Sequence, residues 1–361
     1  MASTADDIAR RIVADGVAPH AAAGCAVRRG AWRREVGGSA ELPFDLASLT
    51  KPMTAVAVAR AGVDRRMPLG AFLSEAHGTA SEHVPLELFL AHRAGLEAHR
   101  PLYEPVMRGE AVDYPAALRE AARARRADAS GAPPPDGFAP VYSDLGYLLA
   151  GEALARATGA RDAGEAIARF VLDPLGIAGQ AGTIRDLAAR GVYGPFAPTE
   201  TVAWRGRGVG AGPIVGEVHD ENAWALSGKG GSGHAGIFAT IDAVLTFGAA
   251  VLDALDGVGA PFGEPVDLTW TVRRREGGGS LRAGFDGKSA EASSAGERLA
   301  ARSFGHLGFT GTSVWIDPDA KVVVALLTNR VCPTRDNAVI RAARPTAHDA
   351  LFDLATFLAL R

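Results

Sequence analysis

The chain has 361 residues, 47% of them hydrophobic and 22% charged, the balance of a globular protein rather than a disordered or fibrous one. A net charge of −3 with no dominant basic block speaks against nucleic-acid binding, and no apolar run reaches the length of a membrane-spanning helix. Two cysteines, Cys25 and Cys332, supply neither a disulfide framework nor a zinc site, and Cys25, in an apolar run, is expected to pack as a small hydrophobe.

In chain order, the first sixteen residues read as an amphipathic helix. They lack the uninterrupted apolar stretch of a secretory signal, which sets a cytoplasmic expectation. Ala22 to Val27 and Trp32 to Val36 read as two strands joined across Arg28–Ala31, with Gly30 making the turn. Pro43 and Pro52 bracket Ser48-Leu49-Thr50-Lys51, and an Ala/Val-rich buried helix follows from Thr54 to Arg60. Helical patterns cover Leu86 to His92 and Ala116 to Ala127; the basic run Arg119 to Arg126 reads as a solvated helix face. The Pro-rich segment Gly131–Gly137 breaks the chain before a helix from Gly146 to Thr158 that Gly159 ends. Residues 205–236 are rich in glycine and predict a long irregular loop of the kind that lines a site. Thr240 looks like the N-cap of another helix. Strands are then expected over His306–Thr312, Ser313–Ile316 and Val322–Asn329, with a hairpin turn at Asp317–Ala320 and a closing helix from Asp349 to Leu360.

Strands at both ends of the chain and helices between them predict an α/β (α+β) fold, one antiparallel sheet flanked by helices with a mostly helical region inserted. The whole of 1–361 reads as one catalytic unit, with an α/β part from about 1–65 and 265–361 and a helical part over about 66–264.

Three segments carry chemistry. If Ser48-Leu49-Thr50-Lys51 starts a helix, the hydroxyl of Ser48 and the amine of Lys51 share a face, and the amine can help deprotonate an otherwise poor nucleophile. Tyr142, in Pro-Val-Tyr-Ser143-Asp144, sits where a loop delivers a side chain ahead of a long helix, and a nearby ammonium would favour its ionised form. Gly305-His306-Leu307-Gly308-Phe309 carries more glycine than a strand tolerates, which suggests close approach of a ligand or of another backbone.

With these residues in view, the chain resembles the serine β-lactamase superfamily, most closely its class C-like branch, over Ala22 to Leu360. Ser48–Lys51 matches S-x-x-K; Tyr142-Ser143-Asp144 matches Y-x-N with Asp in place of Asn; His306-Leu307-Gly308 matches the third motif, K-T-G in many members and H-x-G in others. The resemblance implies that Ser48 is an acyl-forming nucleophile, that Lys51 and Tyr142 share proton transfer, and that the amides of Ser48 and Phe309 form the oxyanion hole. Asp144 should orient Lys51 and favour its ammonium, which tilts the base role toward Tyr142. A histidine at 306 and a leucine at 307 remove affinity for an anionic group beside the scissile bond, as on the esterase side of the family. Arg335 and Asn337 could restore a carboxylate site or simply cap the exit of a strand.

The expected activity is hydrolysis of a small ester or amide through an acyl-enzyme. The alternatives are a D-amino-acid peptidase, a D,D-carboxypeptidase or a weak β-lactamase, and, in another class, an inactive binding module on the same scaffold. No cofactor or metal is expected: Gly228–Gly233 satisfies G-x-G-x-x-G without a βαβ context, and His219 and His234 lack ligand spacing. His234 reads as loop packing beside the cleft. Trp204 and Trp224 either wall an acyl pocket or anchor the glycine-rich loop. The partners expected are small esters, amides or D-amino-acid peptides, with no nucleic acid or membrane.

Overall fold

The computed structural model describes residues 3–207 and 212–360. Its centre is an antiparallel sheet in the order β2-β1-β9-β8-β7-β6, where β1 is Ala21–Arg29, β2 Ala31–Gly38, β6 Asp286–Gly287, β7 Phe304–Leu307, β8 Ser313–Asp317 and β9 Val322–Thr328. The two chain ends meet at the middle of this sheet: Ala23 pairs with Leu326 and Gly24 with Ala325. A small second sheet joins β3 (Phe44–Asp45), β5 (Phe238–Ala239) and β4 (Ala181–Gly182).

The β1–β2 hairpin forms as the sequence predicts, with longer strands, and Gly30 turns it at φ 76°. Alternation along β1 and β9 then loads both faces of the sheet. Ala22, Ala26, Val323, Ala325 and Leu327 face one core, which includes the helix Ile241–Leu255. Ala23, Cys25, Val27, Val324 and Leu326 face a second core beneath the helices Ala5–Ala14 and Ile340–Ala359. Cys25 is buried there as a small apolar side chain. Small residues let the helix Ile241–Leu255 sit close: a Cβ on Gly24 would lie 2.8 Å from Leu245 Cδ1, and one on Gly248 2.7 Å from Val323 Cγ1.

The N-terminal helix starts at a capping box in which the Thr4 side chain and the Asp7 amide, and the Asp7 carboxylate and the Thr4 amide, satisfy one another. Thr240 caps the helix Ile241–Leu255 through the amide of Ala243. The β8–β9 turn is held by the Asp317 carboxylate, which accepts from the amides of Asp319 and Ala320.

Several boundaries differ from the sequence reading. The strand expected over 306–312 runs only over Phe304–Leu307, because Gly308–Thr312 folds into a turn closed by the Gly308 amide on the Thr312 carbonyl (2.7 Å), with Gly311 at φ 106°. The closing helix begins at Ile340 rather than Asp349 and runs through Pro345, which lies inside it. The helix expected over 86–92 stops at Leu90, since His92 is left-handed at φ 59°. The helix expected over 116–127 spans Tyr114–Arg123. Beyond it Arg125 is not a solvated charge: its guanidinium donates to the Ala129 carbonyl (3.0 Å) and lies over the Phe138 ring.

The glycine-rich loop expected over 205–236 falls partly outside the described residues, at 208–211. Its described part contains a helix, Glu221–Ser227, capped by Asp220. It also contains a close-packed run: a Cβ on Gly233 would come within 2.1 Å of the Tyr147 carbonyl, and one on Gly231 within 2.9 Å of the Gly164 Cα. Of the three glycines in the G-x-G-x-x-G pattern, Gly233 is packed against backbone, Gly230 faces the Asp162 and Arg185 side chains, and Gly228 faces open space.

Candidate active site

Ser48 lies in a single 3₁₀ turn, Ala47–Leu49, that runs directly into the helix Thr50–Arg60. The approach to it is clamped. The Leu46 amide donates to Ile237 O (2.9 Å), and the Ala47 amide donates to the Asp45 carboxylate (2.8 Å). The hydroxyls of Thr310 and Thr312 donate to the carbonyls of Asp45 and Leu46 (2.7 and 2.9 Å). These contacts hold Ala47 at φ 47°, an unfavourable conformation for a residue with a Cβ, immediately before the serine.

The i, i+3 relation predicted from sequence is realised. Lys51 Nζ lies 2.7 Å from Ser48 Oγ and 2.7 Å from Asp144 Oδ1, and the Lys51 side chain is wholly buried. Asp144 is the first residue of the helix Asp144–Thr158, which Ser143 caps through the Gly146 amide. That placement lets the loop ahead of the helix present Tyr142: Lys51 Nζ is 4.7 Å from the Tyr142 ring centroid.

Electrostatics divide these groups. Burial works against the Lys51 ammonium, but the Asp144 carboxylate and Tyr142 outweigh it and hold the amine above its ordinary value. Burial pushes the Tyr142 phenol up, and the opposing pull of Lys51 does not overcome it. Lys51 favours the ionised phenol, the direction expected from sequence, but desolvation is stronger. His306 is buried behind Tyr142, with ring centroids 5.9 Å apart, and burial and Lys51 together push it down to about 3, so it is neutral at pH 7.

Above this buried group opens a cleft of about 570 Å³. Ser48, Tyr142, Asp144, Leu307, Gly308 and Phe309 line it. Gly308 has no room for a side chain: a Cβ would lie 2.0 Å from Thr312 Oγ1 and 2.4 Å from Leu46 O. Phe309 is half exposed, stacks on His219 and lies beneath the guanidinium of Arg330.

Arg335 also lines the cleft, but its charge is matched by Glu200 (2.7 Å) and Glu221 (2.5 Å). Asn337 is not brought to the site. Its amide donates to the carbonyls of Gly16 and Val17, and its side-chain oxygen accepts from Val339, so it ties a C-terminal segment to the end of the first helix. Trp204 stacks on Tyr103, which lines the cleft, and meets Trp224 edge-on, an arrangement that supports a wall from behind. His234 packs as expected: its ring bridges the Ser232 hydroxyl and the Asp220 carboxylate at 2.9 Å each. Among the described residues no group of three or more His, Cys, Asp or Glu side chains is placed to hold a metal.

The structure also brings in residues outside the three motifs. His92, within Phe89–Leu96, stacks on Tyr142 with ring centroids 4.6 Å apart. Asp45, His219 and Glu200 form a buried chain behind Phe309: the His219 amide donates to Asp45, and its ring meets Glu200 at 3.0 Å. Isolated polar residues in loops carry no sequence signal for such pairing.

The Beta-lactamase family model matches residues 5–348. The chain belongs to the β-lactamase family. Among solved structures it is similar to the hydrolase EstCE1, described as having promiscuous acyltransferase activity, at 17% identity and TM-score 0.65 over 96% of both chains. It is also similar to a class C β-lactamase from Rhodobacter sphaeroides, at 15% identity and TM-score 0.60, covering 97% of this chain and 98% of that one. Among curated proteins it is similar to an N-acetylmuramyl-L-alanine amidase of Bacillus subtilis, 29% identical over 220 residues, and to a putative D-alanyl-D-alanine carboxypeptidase of Escherichia coli, 24% identical over 208. Each match takes in 53% of this chain, and the chain spans about half the length of either relative, 44% and 45%. Mixed helix and antiparallel sheet, as read from the sequence, is the β-lactamase and transpeptidase fold of these neighbours.

Proposed function

We propose that the protein is a serine hydrolase that forms an acyl-enzyme on Ser48 and releases it to water, acting on a small ester or amide. The observation that carries this reading is Lys51, fully buried and 2.7 Å from both Ser48 and Asp144, which line an open cleft. Burying an amine at such a point is costly, and the arrangement gives it one role suited to chemistry: a fixed cation that organises the serine and its proton acceptor.

In the resting site the Lys51–Tyr142 pair holds both protons, since both groups lie above their ordinary values. The reactive form has lost one of them. Ser48 Oγ then bonds the acyl carbon, its proton passes to the pair, and the bond to the leaving group breaks as the pair returns that proton. The amides of Ser48 and Phe309 face the developing oxyanion, and water completes hydrolysis by the reverse proton route. Leu307 and the neutral His306 favour a substrate without an anionic group beside the scissile bond.

A second reading, a D-amino-acid peptidase or carboxypeptidase, draws support from Arg330, Arg341 and Arg344, which line the outer cleft. Fluorophosphonate and labelled-penicillin probes, each read by peptide mass at Ser48, test both readings. A Ser48 adduct with the phosphonate, lost in Ser48→Ala, is expected. Penicillin labelling without phosphonate labelling would favour the peptidase, and no adduct with either probe would leave a non-catalytic module.

A further inference from the structure

His92 follows the helix Leu86–Leu90, is 5% exposed, and is held at φ 59°. A non-glycine residue stays in that region only where its surroundings impose it. Three contacts explain what holds it, and all three concern Tyr142. The amide of Val141 donates to the His92 carbonyl (3.1 Å). The amide of Ser143 donates to His92 Nδ1 (3.0 Å). The imidazole stacks on the Tyr142 ring at 4.6 Å and 26°. The residues before and after Tyr142, and its ring, are thus all referenced to one residue: Val141 to its backbone carbonyl, Ser143 and the ring to its imidazole.

An amide N–H can only donate, so Nδ1 accepts and the ring carries its proton on Nε2. Tyr147 closes the far side, 5.1 Å from the imidazole, with its hydroxyl on the Leu90 carbonyl (2.7 Å). Lys51 and His306 are the other titratable groups acting on this ring. The next residue in the turn, Asp144, donates its amide to Ala98 O (2.9 Å) and its carboxylate meets Lys51. One turn therefore aims a phenol and a carboxylate at the same amine, and His92 is the fixed point on the phenol's side.

We propose that His92 is a positioning residue for acyl transfer, setting the phenol of Tyr142 against Ser48 and Lys51. This rests on the reading of Ser48 as nucleophile. Histidine joins two properties that other residues separate: a flat ring to stack, and an acceptor two bonds from Cβ. Phenylalanine keeps the first, and asparagine keeps the second while tolerating a left-handed backbone.

The test measures phosphonate labelling rates at Ser48, and the pH profile of kcat/KM on a p-nitrophenyl ester, for the parent, His92→Phe and His92→Asn. Misplacement of a reacting group by an ångström costs on the order of a hundredfold, so each variant is expected to acylate at least about tenfold more slowly. KM should stay within about twofold, and the pH limb should move, because the phenol's place relative to Lys51 changes. In a Tyr142→Phe background the same substitutions should have no further effect on labelling, since their action passes through the phenol. Parent-like labelling and an unmoved limb in His92→Asn would overturn the proposal, as would a loss that adds in full on Tyr142→Phe. Should His92→Phe not fold at this backbone angle, His92→Asn decides by the same readouts. A parent that takes no label would instead remove the nucleophile reading, which is a distinct result.

Discussion

At Asp144 one carboxylate changes what its neighbour can do. An amide at this position would orient Lys51 without strongly favouring its charged form, whereas the carboxylate at 2.7 Å helps hold the amine above its ordinary value. The reactive form of the site must lose a proton, so activity is expected to rise with pH into the alkaline range. Asp144→Asn removes the charge that resists that loss, and the limb of kcat/KM should move to lower pH by about one unit or more. A pH–rate profile of the two proteins decides it, and an unchanged limb would show that the carboxylate does not set the proton inventory. The partnership of Ser48 and Lys51 was legible at this scale, because i, i+3 spacing on a helix is local geometry. The direction of the Tyr142 shift was not: it depends on how deeply the ring is buried, to which His92 and His306 contribute from distant positions in the chain.

Among the elements, the glycine-rich segment Gly230–Gly236 shows how a loop can be structural without being regular. Gly233 meets Gly151 and the Tyr147 carbonyl of the helix Asp144–Thr158, and its own carbonyl accepts from Thr54 of the helix Thr50–Arg60 (2.7 Å). It is the wedge between the helix that carries Lys51 and the helix that carries Asp144. Gly233→Ala would place a Cβ 2.1 Å from the Tyr147 carbonyl, and backbone on both sides leaves little room to yield. We expect a loss of about 3 kcal/mol in stability, with slower Ser48 labelling as the two helices part. Denaturant unfolding and probe kinetics measure the two effects, and a substitution neutral in both would show that the wedge yields. The sequence displayed the glycines plainly. What it lacked was the identity of the opposing backbone, since a close approach needs a partner and the partner is some 80 residues away.

Across the whole molecule, the site stands where the two ends of the chain close on the inserted helices. β1 and β9 pair at the centre of the sheet, and Asn329, just past β9, holds the His20 amide (2.8 Å) and the Pro198 carbonyl (2.9 Å). Asn337 performs a similar service for Gly16 and Val17. Because its amide is engaged there rather than in the cleft, Asn337→Ala is expected to lower stability by about 1 kcal/mol and leave kcat/KM within about twofold of the parent. Thermal unfolding and ester hydrolysis on the same preparation check this, and a selective rise in KM would return Asn337 to substrate binding.

The sequence by itself pointed to the family and to the residues of the proposed chemistry, because a serine, an amine and a phenol are residue types whose pattern survives in local spacing. It also determined the fold class, because period and turn residues mark strands at the ends and helices between. Only the tertiary structure decided the direction of the Tyr142 shift, the withdrawal of Asn337 from the cleft, the pairing of Arg335 with Glu200 and Glu221, and the place of His92 against Tyr142. Each of these depends on burial and on contacts between segments far apart in the chain, and neither is encoded in any short window of residues.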